Sequence, residues 1–315
     1  MNIFAYQHGI YPRSEKVVAA TRGLDRGRVG QDAVDAAYRE DLAGWIRVQQ
    51  EAGLDYFSDG LFRWQDIFRP LAEGLGPKKP EELVRWFDTN TFFRAPEVTS
   101  VDSPSVSGVI PDASVPRPRV VTLPSPYTFS RATRQAANRN QLMKDLAERV
   151  LRPAIHAVHD EGASLIHLEE PWLIYYGIDN ADWKPFEDAL ATLDVDGVKI
   201  ILHCYFGDAG PYFDRLVKLP VTAIGVDLIE TDIDQLGKRR SDKALLLGCI
   251  DGRNSVLEPA AGIVELIQRI AETAPPADLY LSSNCELQYL PTQVAANKVR
   301  RLGEVAQKAK GLVKV

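Results

Sequence analysis

Three apolar runs in the second half of the chain each end on a residue type that can hold a metal. Ile200-Ile201-Leu202 delivers His203 and Cys204 side by side, Val226 to Ile229 leads to Glu230, and Leu281-Ser282-Ser283-Asn284 leads to Cys285. Zinc takes nitrogen, thiolate and carboxylate donors, and a catalytic zinc keeps one position open for substrate. A lone histidine after an apolar strand is ordinarily a structural hydrogen-bonder. His203 is read as a ligand because Cys204, Glu230 and Cys285 stand at equivalent strand ends, and these four are the expected metal ligands. His203, Glu230 and Cys285 are the expected catalytic groups among them.

Further acids follow other apolar runs. Glu169-Glu170 offers one carboxylate to a pocket, where it could hold a substrate ammonium. Asp59 and Asp251 occupy comparable places and are the other expected substrate contacts. Cys249 lies in apolar sequence and reads as a small core hydrophobe. His156 and His159 fall on a helix and read as structural, while His8 and His167 carry no assignment.

The elements that must position these residues alternate. Strands are expected near Ile3, Tyr56, Val121, Leu165, Ile201, Ile224, Leu246 and Tyr280, each followed by helical sequence. Eight such units are the pattern of an α/β TIM barrel, whose chemistry sits at the C-terminal ends of the strands. A doubly wound sheet also alternates, but no Gly-rich phosphate loop follows the first strand. Helices are expected over 33–52, 131–160 with a kink at Pro153, 185–193, 211–218, 233–238 and 260–273, and from Pro291 onward. Between Leu61 and Pro118 the rhythm stops, with short helices expected over 63–69 and 81–87. A stretch of that length reads as an insertion covering a functional surface, with room for a hairpin. The domain expectation is a single barrel over 1–315 with this insertion at about 61–118.

Composition narrows the partners. The 315 residues are 45% hydrophobic and 25% charged, and 37 basic against 43 acidic side chains leave a net charge of -6. That balance disfavours nucleic acid or an anionic membrane as the main target. Neither a long apolar span nor a secretory leader is evident, so a cytoplasmic location is expected. Three cysteines are too few for a disulfide framework and read as reduced.

Gln49-Gln50-Glu51, Gly53-Leu54-Asp55, Glu170-Pro171, Ile229-Glu230-Thr231, Asp251-Gly252-Arg253-Asn254 and Asn284-Cys285-Glu286-Leu287 together carry a family resemblance over almost the whole chain. The chain resembles the C-terminal catalytic barrel of cobalamin-independent methionine synthases, in the short, core-only form, within the superfamily of uroporphyrinogen decarboxylase. The resemblance implies zinc bound by His203, a cysteine of the same motif, Glu230 and Cys285, and a homocysteine thiol methylated to methionine. Two departures stand out. The family spaces its first ligands His-x-Cys, whereas here His203 and Cys204 are adjacent and Tyr205 falls where the cysteine belongs. Leu61 stands where the family has a Glu, which shifts the substrate amine onto Glu169, with Asp59 as a substitute.

The expected donor is a methylcorrinoid such as methylcobalamin, free or on a carrier protein. The long relatives hold methyl-tetrahydrofolate partly with a second barrel that has no counterpart in these residues. A net charge of -6 gives no general attraction for a polyanion. Trp64, Phe68, Trp86, Phe92 and Phe93 in the insertion would form an apolar rim for the macrocycle. The alternatives are methyl-tetrahydrofolate as donor, a decarboxylase using Arg63 and Arg69 on an anionic substrate, and a degenerate corrinoid-binding barrel.

Overall fold

Strands buried on both faces need apolar residues at nearly every position, and six runs of this chain meet that demand. The computed structural model describes residues 1–75, 82–98, 101, 104–134, 138–232, 243–273 and 275–312. Its main sheet contains β1 (Ile3–Ala5), β4 (Arg119–Pro124), β5 (Ala163–Glu169), β6 (Lys199–Cys204), β7 (Ala223–Asp227), β8 (Ala244–Ile250) and β9 (Leu279–Ser283). All seven are parallel, in the order β1-β9-β8-β7-β6-β5-β4.

The eighth strand expected near Tyr56 is reduced to a bridge. Asp55 N donates to Ala5 O (2.8 Å), Phe57 N to Pro118 O (3.0 Å) and Val120 N to Phe57 O (3.0 Å). Residues 55–57 therefore tie β1 to β4 and close the curled sheet into a TIM-type barrel. Alternation separates two layers of side chains. Tyr6, Tyr56, Leu165, Ile201, Leu246 and Tyr280 fill the interior. Ile166, Leu202, Val226, Leu247 and Leu281 face the surrounding helices.

Those helices are α1 (Glu15–Asp25), α2 (Gln31–Ala52), α4 (Pro126–Ala132), α5 (Arg139–Leu146), α6 (Arg152–Asp160), α7 (Pro171–Tyr176), α8 (Trp183–Ala191), α9 (Phe213–Leu216), α10 (Ala260–Thr273) and α11 (Thr292–Leu312). α1 was not anticipated; Ser14 caps it by accepting from Val17 N. The long helix expected over 131–160 is instead several pieces. A wide turn, Ala147–Leu151, precedes α6, where Pro153 has no N–H to offer the carbonyl of Arg149. The helix expected at 233–238 lies outside the described residues.

Within 61–118 the expected helix at 81–87 is a hairpin, β2 (Leu83–Arg85) against β3 (Phe92–Arg94), and α3 spans Arg69–Glu73. Among the described residues no helix is long and apolar enough to cross a membrane.

Candidate active site

β5 ends Leu165-Ile166-His167-Leu168-Glu169 and β6 ends Ile201-Leu202-His203-Cys204, followed by Tyr205. Leu165 and Ile201 belong to the interior cluster, so the two-residue period sends His167, Glu169, His203 and Tyr205 inward as well. Register places Glu169 directly beside His203, and His203 beside Gly225 of β7. Room for the His203 ring comes from glycine on the next two strands. A Cβ at Gly225 would lie 2.8 Å from His203 Cδ2, and one at Gly248 would lie 3.2 Å from its Nε2.

His8, three residues beyond β1, completes a cluster of three imidazoles. Its ring stacks on His167 with centroids 3.9 Å apart and planes at 12°. His203 stands edge-on to both at 5.1 Å. One ring nitrogen from each of the three lies within 4.8 Å of the other two, and all three residues are buried. Tyr6 Oη contacts His167 Nδ1 at 2.8 Å, and His8 Nε2 lies 3.2 Å from Ser283 O. His167 Nε2 and both nitrogens of His203 are buried without a partner, an expensive arrangement that a ligand would relieve. Burial lowers His8 to about 4 and holds His167 and His203 well below the usual histidine value, so all three are neutral donors.

Two buried carboxyls flank the cluster. Glu169 lies 3.4 Å from His8 Nδ1 through Oε1, and its Oε2 accepts from Tyr205 Oη at 3.1 Å. Glu286 accepts from Ile10 N (3.2 Å) and Tyr289 Oη (3.3 Å), and from Gln288 Nε2. Gly9, at φ +71°, passes between them: a Cβ there would sit 2.5 Å from Glu286 Cγ and 2.9 Å from Glu169 Oε1. Burial pushes both acids up to about 8, and for Glu286 the charge of Glu169 adds to it. Asp227, raised by burial to about 6, accepts from Asn284 Nδ2 at 3.1 Å.

The expected residues separate. His203 is in the cluster and Glu169 beside it. Cys204, next along the strand, faces the opposite way into the apolar layer under the helices, which removes it from the ligand set. Glu230 is exposed and pairs with Arg253 at 3.1 Å. Cys285 is buried, its Sγ against Gly252, and burial raises its thiol well above the ordinary value. Among the described residues, neither Glu230 nor Cys285 joins the histidines in a group at ligand spacing. Cys249 packs in the core as expected.

Asp59 is turned away from the mouth, lining a side pocket with Tyr38, Arg63 and Asp112 while Oδ1 caps Leu61 N at 3.0 Å. Asp251 shapes the following turn by accepting from Arg253 N at 2.9 Å. The expected aromatic rim is largely absent: Trp64, Phe68, Trp86 and Phe93 are core residues, and only Phe92 of that group is exposed. Arg63 pairs with Asp35 and Arg69 with Glu73.

His8, His167, Tyr205, Asp227 and Glu286 went unassigned from sequence. A two-residue period through Leu165-x-His167-x-Glu169 and Ile201-x-His203-x-Tyr205 carries the signal for two of them, His167 and Tyr205.

Residues 55–275 match the family described as cobalamin-independent synthase, N-terminal domain. Methionine synthases of Sulfolobus acidocaldarius and Methanothermobacter marburgensis are each 26% identical, over 92% of this chain and 87% of the first, and 95% of this chain and 97% of the second. A 5-methyltetrahydropteroyltriglutamate–homocysteine methyltransferase of Herpetosiphon aurantiacus is 28% identical over 72% of this chain, which spans only 31% of that longer protein. The fold is similar to that of a B12-independent methionine synthase from Shewanella sp. W3-18-1, at TM-score 0.70 and 17% identity over 91% of this chain and 90% of that one. These findings overturn the methylcorrinoid donor, since the family is cobalamin-independent and the long relative is named for a pteroyltriglutamate. They agree with the burial of the aromatics that were to have gripped a corrinoid.

Proposed function

This chain belongs to the cobalamin-independent synthase family, and from that premise we propose that it transfers methyl from a 5-methyltetrahydropteroyl-glutamate to the thiol of homocysteine, forming methionine in the cytoplasm. The observation that supports this reading most directly is the mouth itself. Neutral imidazoles with unpartnered nitrogens sit there against two buried carboxyls that hold protons at neutral pH.

The donor set suits zinc, which favours imidazole nitrogen, and His203 is the residue common to the sequence and structural readings of that site. When bound, zinc would supply one thing: it would lower a thiol pKa from about 8.5 so that sulfur is nucleophilic at neutral pH.

The protein's own residues account for the rest. Glu169, braced by Tyr205, meets the ammonium of homocysteine; an opposite charge beside it favours the ionised carboxylate that burial disfavours. The new S–C bond forms as the N5–C bond breaks, and the leaving nitrogen needs a proton. Glu286 keeps one at neutral pH and has the chemistry to give it.

Around the rim, Phe87 contacts Trp172, Tyr175, Tyr176 and Phe206 at centroid distances of 5.0 to 5.7 Å, and Tyr176 is largely exposed. Arg253 lies 5.1 Å over Phe206. Flat rings with a cation beside them are what a pterin with an acidic tail requires.

The test is methionine formation by the zinc-loaded full chain, under anaerobic conditions, with 5-methyltetrahydropteroyl triglutamate and, separately, methylcobalamin. Methionine should form with the pteroyl donor. None from that donor at full metal loading would end the proposal.

A further inference from the structure

We infer that His8, His167 and His203 form an all-nitrogen binding site for a divalent zinc-class cation in the throat of the barrel. The inference deepens the proposed reaction by naming the ligands of its metal, but it concerns binding and stands or falls without turnover. The three side chains come from three separate strand ends, and their donor atoms already lie within 4.8 Å of one another. Tetrahedral zinc with bonds of about 2.0 to 2.1 Å asks for nitrogens roughly 3.4 Å apart. Closing on an ion therefore requires the donor atoms to draw together and the parallel His8 and His167 rings to tilt toward a common point.

Which nitrogen each ring offers follows from its other contact. Tyr6 Oη engages His167 Nδ1 and so turns Nε2 to the cluster, where it has no partner. His8 Nε2–H donates to Ser283 O, leaving the Nδ1 lone pair on the side of Glu169. Both nitrogens of His203 are open, and the absence of side chains at Gly225 and Gly248 makes room for its ring. A hydrogen bond at the second nitrogen of a metal-binding histidine fixes its tautomer and aim, and two of the three rings have one. Glu169 Oε1 lies 3.4 Å from His8 Nδ1 and is kept for the substrate amine, which leaves the fourth position on the ion to substrate.

Cysteine takes no part in this assignment. Cys204 lies in the outer apolar layer, and Cys285 is not grouped with the histidines at ligand spacing.

The experiment uses the full chain stripped with a chelator and reloaded with Zn2+ or Co2+, with metal content measured by mass spectrometry and the cobalt form by absorption. The expected result is one ion per chain and a visible cobalt spectrum without the near-ultraviolet sulfur-to-cobalt band. His8→Ala and His167→Ala should each weaken binding at least tenfold, and Cys285→Ser should leave affinity and spectrum unchanged. The wild-type cobalt spectrum decides the ligand type even where a histidine variant fails to fold. A sulfur band lost in Cys285→Ser, wild-type affinity in both histidine variants, or no bound ion in the wild type would overturn the site. Bound ion of the expected spectrum with no methyl transfer would instead count against the reaction alone.

Discussion

The His203 ring stands edge-on to His167 across the barrel interior, centroids 5.1 Å apart and planes at 84°. That approach depends on what β7 lacks at the level of His203. A methyl group at Gly225 would lie 2.8 Å from both His203 Cδ2 and Leu246 Cδ2. Overpacking of this kind costs about 1 to 3 kcal/mol. Gly225→Ala should lower stability by that amount in urea unfolding and displace His203. The double variant Gly225→Ala/His203→Ala should recover part of the loss, because the ring is one of the two side chains the methyl meets and Leu246 remains. Additive losses would show that the glycine serves some other purpose.

The two acids on either side of Gly9 should separate kinetically. Glu169→Gln is expected to weaken homocysteine use by about 1.5 to 3 kcal/mol, the worth of a charged hydrogen bond, mainly in KM. A thiol of the same length without the amino group should be used equally by wild type and variant. Glu286→Gln should act on kcat instead, since a proton donor is needed only as the N–C bond breaks. Equal use of the two thiols by the wild type would remove Glu169 from the amine.

Much of this arrangement is legible in the sequence, and the rest is hidden for identifiable reasons. The apolar runs at Val121, Ile201, Ile224 and Leu246 are each bounded by polar or turn residues, so the strand count and the barrel follow from them. Leu83, Val84, Trp86 and Phe87 have helix-like spacing, but they form a strand and turn because Phe92–Arg94 pairs with them. Pairing of that sort is non-local and leaves no mark within the segment. His203 was visible because it ends a strand. The choice between Cys204 and Tyr205 depended on which residues face inward, and Ile201, already an interior residue, settles the phase. His8 lies beyond its strand, where periodicity no longer applies.

Protons on buried acids should make stability depend on pH. Glu170 caps α7 by accepting from Leu173 N at 2.8 Å and also accepts from Thr128 Oγ1 at 2.9 Å, yet burial still raises it from 4.5 to about 7. Because the folded value is the higher one, the folded chain holds this proton more tightly. Its contribution is full below about 4.5 and is lost as pH rises through about 7. Urea unfolding free energy should therefore fall across that window, with Glu169 and Glu286 extending the decline toward about 8. Glu170→Gln should flatten the lower part of the slope. An identical slope in the variant would mean that Glu170 is ionised throughout.

Cys204 offers the sharpest separation between adjacency in sequence and adjacency in space. It follows His203 directly, and its register partner on β7 is Val226, an outer-layer residue, whereas that of His203 is Gly225. A sulfur on that side is separated from the histidines by the sheet itself. It packs among apolar side chains, where burial and the nearby Glu170 charge keep the thiol protonated far above its ordinary pKa. Such a group behaves as a small hydrophobe, and its removal leaves a cavity of about one atom. Cys204→Ala should thus cost roughly 1 to 2 kcal/mol of stability, in line with a small deletion in a packed layer. Zinc content, cobalt spectrum and kcat/KM for homocysteine should match the wild type at temperatures where both are folded. Loss of metal in Cys204→Ala, measured below its melting transition, would place the sulfur on the inner face and reverse the inward and outward assignment of every residue at the end of β6.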